Sequence, residues 1–309
     1  MVDPSSPREW APLRFHSSQR PDIADEIIER CREVYELQAD DSARFTSAAN
    51  NILQRLDVPT GVVTAMTCDA AFFELFRNWV ASCDRSGIEC RPGTIVFATD
   101  SDTFERAESL GFVAYYDDES ALLSEMTRSG GYGDPAWTEY MYHQNWVIDR
   151  MLGLGVDVLF QDVDLVWRRD PRPALIDRAR SGVDIQVMYD GPNDRFQPLY
   201  ANSGFMYFAN TARVRSFWAE VYAHHEMIGY YRSQQEPLNV VLAAYAHRGL
   251  EVHVLDETRF ANGHLYCGGR IAPPDPWVVH HSWTRSLPHK LERFEANGHW
   301  FLDQLGDPR

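Results

Sequence analysis

The chain has 309 residues, long for one domain and short for two, with hydrophobic residues at 44% and charged residues at 24%, ordinary for a globular protein with a sizeable core. A formal net charge of -16 argues against a nucleic-acid or anionic-membrane surface, since both need clustered Lys and Arg. The five cysteines include no C-x-x-C pair and favour reduced structural thiols over a zinc site or disulfide framework. The opening "MVDPSSPREW" lacks an apolar leader, and no run approaches the length of a membrane span. The expectation is a soluble, cytoplasmic protein.

Residues 1–20 are polar and contain Pro and Ser, the composition of a loosely ordered arm. "PDIADEIIERCREVYEL" sets Ile23, Ile27, Cys31 and Val34 at helical spacing, with acids in the first turn. A second helix is predicted through "SARFTSAANNILQRL". The character changes at "TGVVTAMTC", which reads as a buried strand. There follow an amphipathic helix, "AAFFELFRNWVASCDRSG", a strand, "GTIVFATD", a short helix from Thr103 to Leu110, and a strand, "FVAYYDD". A long helical stretch, "PAWTEYMYHQNWVIDRMLGLG", leads to a fourth strand, "VDVLFQDVD". Further strands are predicted at "VDIQVMYD", "SGFMYFAN" and "LEVHVLD", with helices over Ala212–His225 and Gln235–Ala246 before the last. Strands alternating with helices predict an α/β domain with a mainly parallel central sheet. No repeat or Pro/Gly linker divides the chain. The reading is an N-terminal arm and helices over residues 1–58, and one domain over residues 59–309.

"VDVLFQDVDLVWRRDP" ends an apolar strand on Asp162 and Asp164. Side chains at i and i+2 of an extended segment share a face, so the two carboxylates can converge on one cation. In open α/β sheets the C-terminal strand ends are also where ligands bind. Hard oxygen ligands suit Mg²⁺ or Mn²⁺. The bare D-x-D pattern is cheap, because Asp100-Ser101-Asp102 repeats it, and alone it is more often a solvated loop. The apolar strand in front of Asp162 sets that copy apart. His280 and His281 follow the apolar "WVV", so one can face the sheet end as a third ligand while its neighbour faces away. Thr64 and Thr67, near the end of the first strand, and Asp100, at the end of the second, offer hydrogen bonds to a bound ligand.

"GVDVLFQDVDLVWRRDP" resembles the signature of the nucleotide-diphospho-sugar transferase family, the group that includes glycosyltransferase family 77. The likeness continues over much of residues 60–295. "VVTAMTCDAAFFELFRNWVASCDRSGI" resembles the first nucleotide-binding strand and helix, and "IVFATD" the second strand. "ANSGFMYFAN" resembles the family's N-S-G-F strand, and "WVVHHSW" with Lys290 its C-terminal His and Lys segment. The resemblance implies a GT-A (Rossmann-like) fold: a mainly parallel central sheet flanked by helices, here with an N-terminal helical appendage. It implies a D-x-D that holds Mn²⁺ (or Mg²⁺) against the donor diphosphate, with His280 favoured over His281 as third ligand beside Asp162 and Asp164. Lys290 would then face the diphosphate, although a solvated helix face explains it as well. Asp190, Asn202 and Gly204 would lie against the transferred sugar, although Asp190-Gly191 also reads as a plain turn.

Two positions depart from the family pattern. "SQQEPLN" resembles the segment D-Q-x-x-L-N but carries Gln234 in place of the first Asp; Gln235 and Asn239 are kept, and Glu236 adds a carboxylate. Asn145 stands where a basic residue contacting the donor is expected. The resemblance therefore implies a metal-dependent, retaining glycosyltransferase that moves a sugar of the galactose, xylose or arabinose class. The donor would be a UDP-sugar, and the acceptor a hydroxyl of a glycan, protein or small metabolite. Same-face attack is expected, with Gln235 and Asn202 beside the oxocarbenium-like sugar and Glu236 as the competing nucleophile. One alternative is a scaffold protein that kept the fold and lost catalysis, favoured by Asn145 and Gln234. Another is a different Mg²⁺-dependent α/β enzyme, such as a phosphohydrolase.

Overall fold

A computed structural model of the chain describes residues 21–58, 61–125, 135–245, 248–267 and 275–302; the expected arm over residues 1–20 lies outside them. The first half runs α1 (Pro21–Leu56), β1 (Val62–Cys68), α2 (Phe73–Arg85), β2 (Thr94–Ala98), α3 (Ser101–Ser109), β3 (Val113–Tyr115), α4 (Ala121–Glu125), α5 (Pro135–Gly153) and β4 (Asp157–Gln161). The second half continues with β5 (Leu165–Trp167), α6 (Arg172–Arg180), β6 (Ile185–Tyr189), β7 (Ala201–Phe208), α7 (Ala212–Ala223), α8 (His225–Tyr231) and α9 (Gln235–Tyr245). It closes with β8 (Val252–Val254), β9 (Phe260–Asn262), α10 (Gly263–Cys267), β10 (Val278–His280) and α11 (Leu287–Ala296).

Seven strands form one sheet in the order β3-β2-β1-β4-β7-β6-β8. β7 alone runs against the rest, antiparallel to both β4 and β6. The expected mainly parallel sheet flanked by helices is the one observed. All seven residues of β1 are buried, as a central parallel strand covered on both faces requires. Successive β1 side chains alternate between two cores. Val62 and Met66 pack with Phe76, Trp79 and Phe294 on one face. Val63 and Ala65 join Trp146 and Met151 of α5, Trp218 of α7 and Phe45 and Ile52 of α1 on the other. β1 pairs with β2 on one side and β4 on the other, so the chain reverses its direction of travel across the sheet between them. That is the switch point where open α/β sheets leave a crevice.

Three differences from the sequence reading have physical causes. The two N-terminal helices are one, 36 residues long. Its buried stripe runs through Cys31, Val34, Gln38, Asp41, Phe45, Ala49, Ile52 and Leu56. Polar Gln38 and Asp41 interrupt the apolar pattern in the sequence but not in space. Gln38 donates to Tyr142 O at 3.0 Å, and Asp41 accepts from Arg44 at 2.6 Å and Ser120 at 2.8 Å. Second, β4 stops at Gln161, before the acidic pair, and β5 belongs to another sheet of order β5-β10-β9. Third, that small sheet is assembled from three-residue strands too short to announce themselves by alternation. Cys31, Cys68, Cys83 and Cys90 are buried free thiols, as expected. Among the described residues no helix is long and apolar enough to cross a membrane.

Candidate active site

The acidic pair spans the gap between the two sheets. Asp162 N donates to Gly204 O of β7 at 2.9 Å, continuing the large sheet, while His281 N donates to Asp164 O at 3.0 Å beside the small one. The carboxylates therefore converge through a bend held at both ends, rather than through the alternation of one strand. Antiparallel pairing of β10 with β5 sets His280 opposite Leu165, next to Asp164. His280 Nε2 lies 3.1 Å from Asp164 Oδ1 and 3.5 Å from Asp162 Oδ2. One ligand atom from each of Asp162, Asp164 and His280 lies within 4.8 Å of the others. His281 turns away, stacked on Phe294 at 3.9 Å and hydrogen-bonded to His299 at 2.9 Å.

The local charges explain the protonation states. Burial alone would raise the Asp164 carboxyl, but Lys290 and His280 beside it hold it far below the usual carboxylate range; Lys290 Nζ is its ion-pair partner. Burial would depress His280, yet Asp164 and Asp162 outweigh it and push the imidazole up to about 9. Asn202 fixes the ring. Its Oδ1 accepts from Gly204 N at 2.9 Å and faces His280 Nδ1 at 3.1 Å, while its Nδ2 donates to Asp190 Oδ1 at 2.7 Å. Nδ1 then carries a hydrogen and Nε2 faces the carboxylates, the orientation a metal-ligating imidazole needs. Asp164 Oδ1 is buried and makes no well-formed hydrogen bond, its near neighbour being His280 Nε2 at 3.1 Å. Two carboxylates and one imidazole nitrogen suit Mn²⁺ or Mg²⁺, and a cation here would satisfy that oxygen. Gly204 contributes by lacking a side chain: a Cβ would run into the Asp162 carboxylate and the His280 ring.

A cavity of ≈ 410 Å³ opens over this cluster. Helix α5 turns Trp137, Tyr140, Met141 and Gln144 into it, which is one helical face. Gln144 Nε2 donates to Asp162 Oδ1 and Thr67 Oγ1, both at 3.1 Å, and its Oε1 accepts from Gln234. Asn145 corrects the sequence reading. It is fully buried, its carbonyl accepts from Trp218 Nε1 at 3.4 Å, and it does not line the cavity. The residue that meets Asp162 from this helix is Gln144.

Asp190 is held from three sides. Its Oδ1 accepts from Asn202 and, at 3.2 Å, from Trp283 Nε1, and its Oδ2 accepts from Gln235 Nε2 at 3.0 Å. Burial raises its pKa against these hydrogen bonds. Gln235 Oε1 accepts from Ser203 N at 3.0 Å. Glu236, expected as a competing nucleophile, is turned elsewhere: its Oε1 accepts from Arg195 at 2.8 Å and Tyr200 at 3.3 Å, and it does not line the cavity. One residue along a helix is a turn of about 100°, which separates it from Gln235. Thr64, Thr67 and Asp100 do not line the cavity either. Thr64 is fully buried within β1, and Thr67 supports Gln144. Asp100 caps α3 through Thr103 N at 2.8 Å and ties in Ala70 N at 2.9 Å. The sequence reading missed Gln144 and Trp283 as cavity residues. The helical face of α5 was the available signal for the first.

A mainly parallel α/β sheet here carries a carboxylate pair and a histidine beside a cavity, at the switch point where open sheets of this kind leave a ligand crevice. Residues 91–294 match the family model described as nucleotide-diphospho-sugar transferase, and the chain belongs to that family. It is 23% identical over 275 residues to UDP-D-xylose:L-fucose alpha-1,3-D-xylosyltransferase 1 of Arabidopsis thaliana, covering 81% of this chain and 73% of that protein. To the Arabidopsis thaliana beta-arabinofuranosyltransferase RAY1 it is 23% identical over 262 residues, covering 75% of this chain and 46% of that protein. Among solved structures, mouse xyloside xylosyltransferase 1 superposes with a TM-score of 0.46 at 11% identity, covering 72% of this chain and 98% of that one.

Proposed function

We propose that this chain is a metal-dependent, retaining glycosyltransferase that moves a pentose of the xylose or arabinose class from a UDP-sugar to a hydroxyl acceptor. The observation that carries the proposal is the convergence of Asp162, Asp164 and His280 in the cavity lining. Family membership and the xylosyl and arabinofuranosyl activities in the relatives' names support the substrate class. The same arrangement is the one expected of a GT-A fold.

Asp162, Asp164 and His280 would hold Mn²⁺ or Mg²⁺, which when bound neutralises charge on the departing diphosphate. Lys290 adds a fixed point charge beside them. Gln144 and Gln234 hold Asp162 in place through their linked amides. Asp190, Asn202 and Gln235 form the wall against which the transferred sugar lies. The cavity carboxylates are Asp162, Asp164 and Asp190, and both oxygens of Asp190 are engaged by amide and indole donors. Among the described residues that leaves no carboxylate poised as a nucleophile and favours same-face attack. The bond from the anomeric carbon to the phosphate oxygen breaks, the bond to the acceptor oxygen forms, and the acceptor proton passes to the departing phosphate. Gln235 presents its amide dipole beside the developing positive charge.

The test is a panel of UDP-xylose, UDP-arabinose and UDP-galactose with mixed sugar acceptors, run with Mn²⁺ and after EDTA treatment. Transfer that needs the cation and keeps the donor's anomeric configuration by NMR is expected. Inverted product overturns the retaining mechanism, and turnover unaffected by EDTA overturns the metal site.

A further inference from the structure

Trp283 is an aromatic residue held in an unusual way. Its ring is 50% exposed in the cavity wall, and its φ is 61°, a region that bulky L residues rarely enter. Such backbone persists where neighbouring contacts over-determine it, and here they are explicit. The indole Nε1 donates to Asp190 O at 3.0 Å and to Asp190 Oδ1 at 3.2 Å. Behind the ring stands His264, with centroids 5.3 Å apart. Two glycines make this packing possible. A Cβ on Gly191 would lie 2.7 Å from the His264 ring, and one on Gly263 would run into the Ser282 backbone. Three separate conformational concessions thus hold one aromatic face open inside a cavity. A stability argument alone would bury that face.

Its place relative to the cation cluster says what it faces. From the carboxylate pair the ion pair with His280 leads on by hydrogen bonds from His280 to Asn202, from Asn202 to Asp190, and to Asp190 from Trp283. On the glycosyltransferase reading above, on which this inference rests, the diphosphate lies at the first of these and the donor sugar against Asp190. Trp283 comes next. We infer that Trp283 is the platform for the acceptor, and that the acceptor is a glycoside. A sugar ring presents a face of electropositive C–H bonds that stacks on the negative face of an aromatic ring; a serine side chain or a small acyclic alcohol has no such face.

The experiment is saturation-transfer NMR with a panel of methyl glycosides on the protein with UDP and Mn²⁺, comparing wild type, Trp283→Ala and Trp283→Phe. Phenylalanine keeps the ring and removes the Nε1 hydrogen bond. The expected result is glycoside binding in the wild type, weakening on the order of tenfold in Trp283→Ala, and binding largely kept in Trp283→Phe. UDP calorimetry on all three proteins reports the donor site separately and shows that each variant is folded. Glycoside binding absent from the wild type, equal in wild type and Trp283→Ala, or lost equally in both variants overturns the inference. Trp283-dependent glycoside binding without UDP binding would sink the donor reading and support the platform.

Discussion

Asp162 and Asp164 differ in what they hold. The Asp162 side chain is 31% exposed and the Asp164 side chain 5%, and Asp164 is the counter-charge of both Lys290 and His280. Asp162→Ala should therefore melt like the wild type while losing cation-dependent UDP binding. Asp164→Ala should lose the same binding and also cost about 3 kcal/mol of stability, because it takes the shared counter-charge from buried His280 and part-buried Lys290. Denaturant unfolding of both variants checks the split, and equal stability would contradict the pairing. The two glutamines separate in a similar way. Gln235 bridges Asp190 and Ser203 at the wall proposed for the donor sugar, whereas Gln234 reaches the site through Gln144. Gln235→Ala should lower kcat on the order of 10²–10³-fold, as losing one electrostatic stabiliser does, and Gln234→Ala far less. Saturation kinetics with the best donor decides it.

At the scale of elements, α9 sorts its own first turn: Gln235 enters the cavity, and Glu236, buried but not in the lining, pairs with Arg195 and Tyr200. Glu236→Gln should keep kcat within about twofold and yield no glycosylated Glu236 by mass spectrometry, since a group outside the cavity makes no contact with the reacting atoms. Complete loss of turnover would reinstate it as a nucleophile. Helix α5 makes the same point. Gln144 and Asn145 are adjacent in sequence, yet one touches Asp162 and the other faces the core. Helical spacing around Trp137, Tyr140 and Met141 was legible in the sequence. Which face it turned to the cavity was not, because both faces of α5 are largely buried and carry apolar residues.

Across the whole molecule, buried histidines set the response to acid. Burial pushes His143 down to about 4, and His225 likewise to about 4 although the Tyr222 carbonyl opposes it. Both are neutral in the fold and titrate near 6.5 when unfolded. At these two sites the unfolded chain thus binds more protons between about pH 6.5 and 4, so their contribution to stability is lost as pH falls through that window and is constant above it. At pH 5 each histidine should cost about 2 kcal/mol. His143→Phe keeps the stack on Trp146, 5.4 Å away, and should remove one such share of the loss. Unfolding titrations at pH 7.5 and 5 measure it, and an unchanged difference would contradict the assignment.

The sequence alone determined what depends on local pattern. Period-two and period-3.6 burial gave the alternation of strands and helices around a mainly parallel sheet, and the apolar strand before Asp162 marked where a ligand would sit. It did not determine α1 as one helix, because Gln38 and Asp41 become core residues only through Tyr142 of α5, Tyr222 of α7 and Ser120 just before α4. Nor did it determine the site's contacts. Asp164 and Lys290 are 126 residues apart, and the bend that aims Asp164 is held between two different sheets. Side-chain direction at such a bend is set by what its two ends pair with, and those partners are brought together only by the folded chain.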